Sequence, residues 1–144
     1  MSRRAARKHV FSMVFQTEFY NDEDINEAIE LYNETITDEN VSEKKFIERE
    51  LKGILENREK IDSIINKYSL GWSVERIAKV DIAILRLAVF EILFADDIPN
   101  NVAVNEAVEL AKEYSSDKSP AFINGILGKV MSYADKERAD KEKL

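Results

Sequence analysis

The residues best placed to do chemistry in this 144-residue chain stand at its start. Arg3, Arg7, Phe11 and Phe15 recur at intervals of four, with Arg4 and Lys8 beside them. On a helix that spacing makes one slowly drifting ridge. Guanidinium groups bind phosphates through paired hydrogen bonds. Aromatic faces stack on unpaired bases, each stack contributing about 1–3 kcal/mol. Cations and rings on one surface therefore suit single-stranded RNA. A plainer reading fits the same spacing: Phe11 and Phe15 as core residues, and the arginines as a solubilising start.

Other chemistry finds little support. His9 is the only histidine and has no Cys or second His to share a metal, so no metal site is expected. The absence of cysteine removes a disulfide framework, a thiolate site and a Cys nucleophile. No Gly-rich phosphate loop or G-x-S-x-G element is present. Asp96 and Asp97 are adjacent in an acidic turn, whereas a glycosidase pair must face each other across a substrate. The expectation is a protein with no catalytic residues and no cofactor.

The net charge of −7 conceals an uneven distribution. Residues 1–17 carry +4 and no acid, residues 18–50 carry −9, and residues 51–144 carry −2. A basic end on an acidic body can hold a polyanion locally while the body repels unspecific contact. The most apolar stretch, residues 80–95, contains Asp81, Arg86 and Glu91 and falls short of the roughly 20 residues of a membrane helix. It reads as a buried core helix. With no signal-peptide pattern at the N-terminus, a cytoplasmic setting and no membrane association are expected.

These residues must be positioned by helices. Only four Gly and two Pro interrupt the chain, and no segment alternates as a strand does. The apolar spacing predicts an all-α fold of about seven helices in two packed subdomains, residues 1–70 and 71–144. Helices are predicted over 3–20, 24–35 and 43–68, the third bending near Asn57. A polar loop is predicted over 37–42, with Ser42 as a cap. Gly71 closes the first half. A short helix over 73–78 follows, capped by Ser73, with Trp72 packing outside it. Then come the central helix 80–95, a helix over 102–114, and one from Ser119-Pro120 whose tail frays from Ala134. Gly125 and Gly128 inside that last helix suggest a second backbone passing close. Arg86, Glu91, Asn105 and Asn124 are polar groups in apolar helices and are expected to form buried hydrogen bonds.

Several segments together resemble the NusB family. They are the opening Arg3-Arg4-Ala5-Ala6-Arg7, the stretch Gly71-Trp72-Ser73 with Glu75-Arg76-Ile77, and Ile84-Leu85-Arg86-Leu87-Ala88 leading to Glu91. Ile98-Pro99 followed by Val102-Ala103-Val104-Asn105-Glu106-Ala107-Val108-Glu109-Leu110-Ala111-Lys112 carries the strongest match, and Phe122-Ile123-Asn124-Gly125-Ile126-Leu127 closes the pattern. Ser115 stands where the family commonly has Gly, and Gly128 where it commonly has an acid.

The resemblance implies a two-subdomain helical fold. It also implies transcription antitermination: binding the boxA element of ribosomal RNA leader transcripts together with NusE, a small-subunit ribosomal protein, so that RNA polymerase reads through terminators. Carried onto this chain, the RNA-facing candidates are Arg3, Arg4, Arg7, Lys8, Phe15, Tyr68 and Phe122. Glu75 and Asp81 are the candidate acids toward the basic partner, their plainer role being to start a helix. On this reading Arg7→Glu weakens RNA binding without unfolding the protein.

A second reading is a protein-binding helical module without direct RNA contact. Related domains also occur fused to RNA cytosine methyltransferases, but no cofactor loop or catalytic Cys is present here. The resemblance leaves monomer and homodimer open.

Overall fold

In a computed structural model, residues 1–35 and 41–142 are described. Among them are seven helices and no strand: α1 (Arg3–Thr17), α2 (Asp22–Thr35), α3 (Val41–Glu56), α4 (Arg58–Tyr68), α5 (Lys79–Phe94), α6 (Asn100–Tyr114) and α7 (Ser119–Glu142). The all-α expectation holds. The predicted loop over 37–42 lies outside the described residues as far as residue 40, and the Ser42 cap is corrected: α3 already begins at Val41, so Ser42 lies within the helix.

Helix α5 is the axis. All its residues from 81 to 92 are buried, because its apolar side chains leave no polar face to turn toward water. It packs against α1, α3, α4, α6 and α7. A single apolar cluster runs from Ala6 on α1 through α5 to Ala134 on α7. The two groups of helices, before and after the turn at 70–71, thus meet on one shared core. At that turn Leu70 (φ 52°) and Gly71 (φ 90°) both take left-handed backbone, and Gly71 does so without steric cost.

Helix α1 starts where Ser2 Oγ accepts the Ala5 N–H at 3.0 Å. Ala6, Val10, Met13 and Val14 all face the core. It ends at Thr17, three residues earlier than its apolar spacing suggested. The predicted bend at Asn57 is a full break. Asn57 Nδ2 donates to the Gly53 carbonyl at 2.8 Å, and its backbone N–H donates there too at 3.1 Å, so one helix closes and the next opens.

Several expectations are corrected. Residues 73–78 form a turn, not a helix: the Arg76 and Ile77 N–H groups both donate to the Ser73 carbonyl, and buried Ile77 ends the segment. The α7 tail continues to Glu142. Ala134 is buried, and the Arg138 guanidinium donates to the Ile92 carbonyl at 3.1 Å, tying the helix to α5. Asn105 and Asn124 are exposed, so neither is a buried polar group. Arg86 and Glu91 are buried and paired as expected. A Cβ at Gly125 or Gly128 would meet nothing within 4 Å, so among the described residues no second backbone passes there.

The glycine under close approach is Gly53. A Cβ there would lie 2.2 Å from Phe90 Cε1, the ring that α5 presses against α3. Gly53→Ala is expected to cost up to about 2 kcal/mol. Overpacking of about 1–3 kcal/mol outweighs a gain of about 1 kcal/mol in helix propensity. Urea unfolding midpoints check this, and a midpoint at or above the wild-type value contradicts it.

Candidate nucleic-acid interface

The basic ridge of α1 is present, but each cation meets a carboxylate from a distant segment. Arg3 Nε bonds Glu43 at 2.9 Å. Arg4 reaches both oxygens of Glu106, Nε at 3.2 Å and NH2 at 3.0 Å. Lys8 Nζ lies 3.0 Å from Glu113. The Glu106 and Glu113 hydrogen bonds hold the Arg4 and Lys8 charges above their ordinary pKa values. Glu106 and Glu113, on the acidic side of α6, thus reach across to α1. Arg3, Arg4 and Lys8 still keep much of their side chains in solvent.

Arg7 is different, and its assignment to RNA is corrected. Its side chain is 6% exposed, and Nε donates to both oxygens of Glu91, at 3.2 and 3.1 Å. With Nε committed to Glu91 and the side chain almost wholly enclosed, Arg7 is held as a buried ion pair and not offered to solvent as Arg4 and Lys8 are. The ridge drifts inward because α1 turns Ala6, Val10 and Val14 toward α5, carrying position 7 with them.

The rings form a graded series. Tyr114 and Phe11 lie 5.0 Å apart between centroids, Phe11 and Phe15 6.3 Å, and Phe15 and Phe19 5.2 Å. Phe11 is buried, Phe15 half-buried, and the two ends are exposed. Lys79 Nζ stands 4.7 Å over the Phe19 ring. His9 Nδ1 pairs with the Tyr32 hydroxyl of α2 at 2.9 Å.

A recess of about 260 Å³ is lined by Trp72, Arg76, Ala78, Asp81, Lys118 and Phe122, among others. Its wall is built locally. Ser69 Oγ donates to the Trp72 carbonyl, and Asn66 Oδ1 accepts the Val74 N–H at 2.8 Å. These bonds hold the turn so that the Trp72 ring projects, 53% exposed. Phe122, the sequence candidate, forms part of the opposite side from the first turn of α7. Among the described residues no ion pair is recorded for Arg76 or Lys118, in contrast to the cations of α1. The sequence alone marks Trp72 for packing, and Arg76 and Lys118 are not among its RNA-facing candidates. A large ring directly after a positive-φ glycine was the available signal.

Asp81 is also corrected as an exposed docking acid. It is buried, and it accepts the Ser115 hydroxyl at 2.7 Å and the Ser119 hydroxyl at 3.0 Å. It braces the α6–α7 turn beneath the recess. Ser115, where the family commonly has Gly, supplies one of those donors. Glu75 is exposed on the turn before α5. Tyr68 lies in a different groove with Tyr133, their rings 6.0 Å apart, alongside Lys67, Lys129 and Lys136.

The fold agrees with the comparisons. A family model described as "NusB family" matches residues 4–132. The transcription antitermination protein NusB of Agathobacter rectalis is 46% identical over 129 residues, covering 90% of this chain and 98% of its own. That of Acetivibrio thermocellus is 47% identical, covering 99% of this chain and all of its own. The solved structure of T. maritima NusB superposes with a TM-score of 0.85 at 39% identity, covering 97% of this chain and 98% of the other. A structure of antitermination factors NusB and NusE in complex with dsRNA gives 0.81 at 25% identity, covering 91% and 96%. The chain, over nearly its whole length, belongs to the NusB family.

Proposed function

We propose that the protein is a transcription antitermination factor that binds the boxA element of ribosomal RNA leader transcripts jointly with NusE. In that complex RNA polymerase reads through terminators. The protein acts in the cytoplasm and catalyses no reaction. The names of its relatives and the NusB–NusE–RNA neighbour support this reading. Among the described residues no helix is long and apolar enough to cross a membrane.

One observation carries the RNA assignment on this chain: the recess between Trp72 and Phe122 with Arg76 and Lys118 among its lining residues. An unpaired base stacks against the rings while its phosphates meet those cations and, along the ring series, Lys79, Lys8, Arg4 and Arg3. Tyr68, in its separate groove with Lys67, Lys129 and Lys136, supplies a second aromatic contact. Glu75, exposed and acidic, faces the basic ribosomal partner.

Trp72→Ala and Phe122→Ala are each expected to weaken binding of a single-stranded boxA-like RNA by about 1–3 kcal/mol. The assay is a gel-shift titration with and without the NusE-like protein. Unchanged affinity in variants with wild-type circular dichroism would remove the recess from the RNA site. A second reading, a protein-binding module without RNA contact, draws on the pairing of all four α1 cations with acids. It requires that no RNA be retained at physiological salt even with the ribosomal partner present.

A further inference from the structure

The Phe46 ring of α3 sits among three guanidinium groups. The Cζ atoms of Arg3, Arg7 and Arg49 lie 4.1, 5.5 and 5.6 Å from its centroid. Each guanidinium has one carboxylate: Glu43 for Arg3 at 2.9 Å, Glu91 for Arg7 at 3.1 Å, and Asp97 for Arg49 at 2.9 Å. A fourth acid, Glu50, is 0% exposed on α3. No protein donor reaches either of its oxygens. Every cation of the cluster is already engaged, and the group beside Glu50 is the Glu91 carboxylate. Two ionised carboxylates cannot share one enclosed guanidinium without leaving a negative charge unsolvated.

We propose that Glu50 is a neutral carboxylic acid at neutral pH whose O–H donates to Glu91, so that Arg7, Glu91 and Glu50 form one hydrogen-bonded chain linking α1, α5 and α3. Among the charges that face it are Arg7 from α1, Glu91 from α5 and Arg49 from α3 itself. Burial, then the hydrogen bond and charge of Glu91, push the Glu50 carboxyl up to about 10, against a smaller opposing pull from the two arginines. Glu50 is thus a positioning residue. It orients Glu91, Glu91 orients Arg7, and Arg7 fixes how α1 lies on the core and where Arg4 and Lys8 point.

The proton has a measurable signature. A carboxyl whose folded-state pKa is raised gives its full stability below the unfolded value, about 4.5, and that contribution is lost as pH rises toward about 10. Within that window the folding constant falls about tenfold per pH unit on account of this one group. Glu50→Gln presents an N–H to Glu91 and has no proton to lose. The test is urea unfolding of the full chain between about pH 6 and pH 9, wild type against Glu50→Gln. Glu50→Gln is expected to match the wild type at the low end and to outlast it increasingly above, the ratio of folding constants widening about tenfold per unit. A second readout needs no variant. With isotope-labelled glutamate carboxyl carbons followed by NMR, one glutamate keeps its protonated shift through pH 7 and titrates far above the rest. A Glu50→Gln protein with the wild-type pH slope, or a full set of glutamates titrating in the ordinary range, overturns the proposal.

Discussion

Arg7→Ala is expected to remove about 3–5 kcal/mol of stability. The partner left behind, Glu91, is 1% exposed, so water cannot replace the guanidinium. Nor can the acid next to it, since Glu50 brings no positive charge. Breaking a buried pair from one side leaves an uncompensated charge, whereas removing both sides does not. The double change Arg7→Met with Glu91→Leu is therefore expected to recover most of the loss. Arg7→Glu should be worse than Arg7→Ala, because it adds a carboxylate where Glu91 already stands. This reverses the expectation drawn from the sequence, in which Arg7→Glu spared the fold and weakened only RNA binding. Urea unfolding of the three variants decides it. An Arg7→Ala protein within about 1 kcal/mol of the wild type, far below the cost of a broken buried pair, contradicts the structural role.

The second large effect belongs to Arg86. Its side chain is 3% exposed and holds Asp62 through two bonds, Nε to Oδ1 at 2.9 Å and NH2 to Oδ2 at 3.0 Å, with Glu18 on its remaining nitrogen. This fork joins α5 to α4 and to the end of α1, and a lysine cannot reproduce it. Arg86→Ala is expected to cost about 3 kcal/mol at neutral pH, the lower end of the range for a broken buried pair. Asp62 and Glu18 are partly exposed and recover some solvation. Burial pushes the Asp62 carboxyl up to about 6, against the pull of Arg58, and the Arg86 guanidinium down to about 10. Both partners are thus charged between those values. Below about pH 6 Asp62 takes up a proton and no longer needs the cation, so the deficit of Arg86→Ala should narrow as pH falls through that point. A deficit that stays constant from pH 8 to pH 5 would argue against the ion pair as its source.

Much of the helical framework was legible because it is local. Ala6, Val10, Met13 and Val14 declare a core face by spacing alone, and an apolar run with three ionisable residues declares α5. The tertiary partners of polar groups are not local. Arg3 finds its acid 40 residues away, Lys8 its acid 105 residues away. A helical periodicity marks a polar face without saying which other polar face it meets. The same limit explains Gly53 and Gly125. Both are glycines inside a helix, and only packing distinguishes the one a ring presses against from the one facing open space. The short helix expected at 73–78 failed for a different reason. Ser73 does organise the following N–H groups, but the winding goes no further than one turn, ending at buried Ile77. Of the RNA candidates, Phe122 could be found from the family pattern. Trp72 and Arg76 stand in that pattern too, but their grouping with Phe122 and Lys118 emerges only when the turn after α4 is folded against the start of α7.

The all-round burial of α5 also bears on how the chain is made. A ribosome releases α1 to α4 first, and the helix they close upon is synthesised only afterwards. Until residues 79–94 emerge, the earlier helices can pack only on one another and lack the surface that α5 supplies, and a nascent chain in that state offers the uncovered part of their apolar stripes to chaperones or to other nascent chains. Cooperative folding must therefore wait for the second half of translation. Any change that slows elongation before α5 prolongs the interval in which the polypeptide is most prone to aggregate.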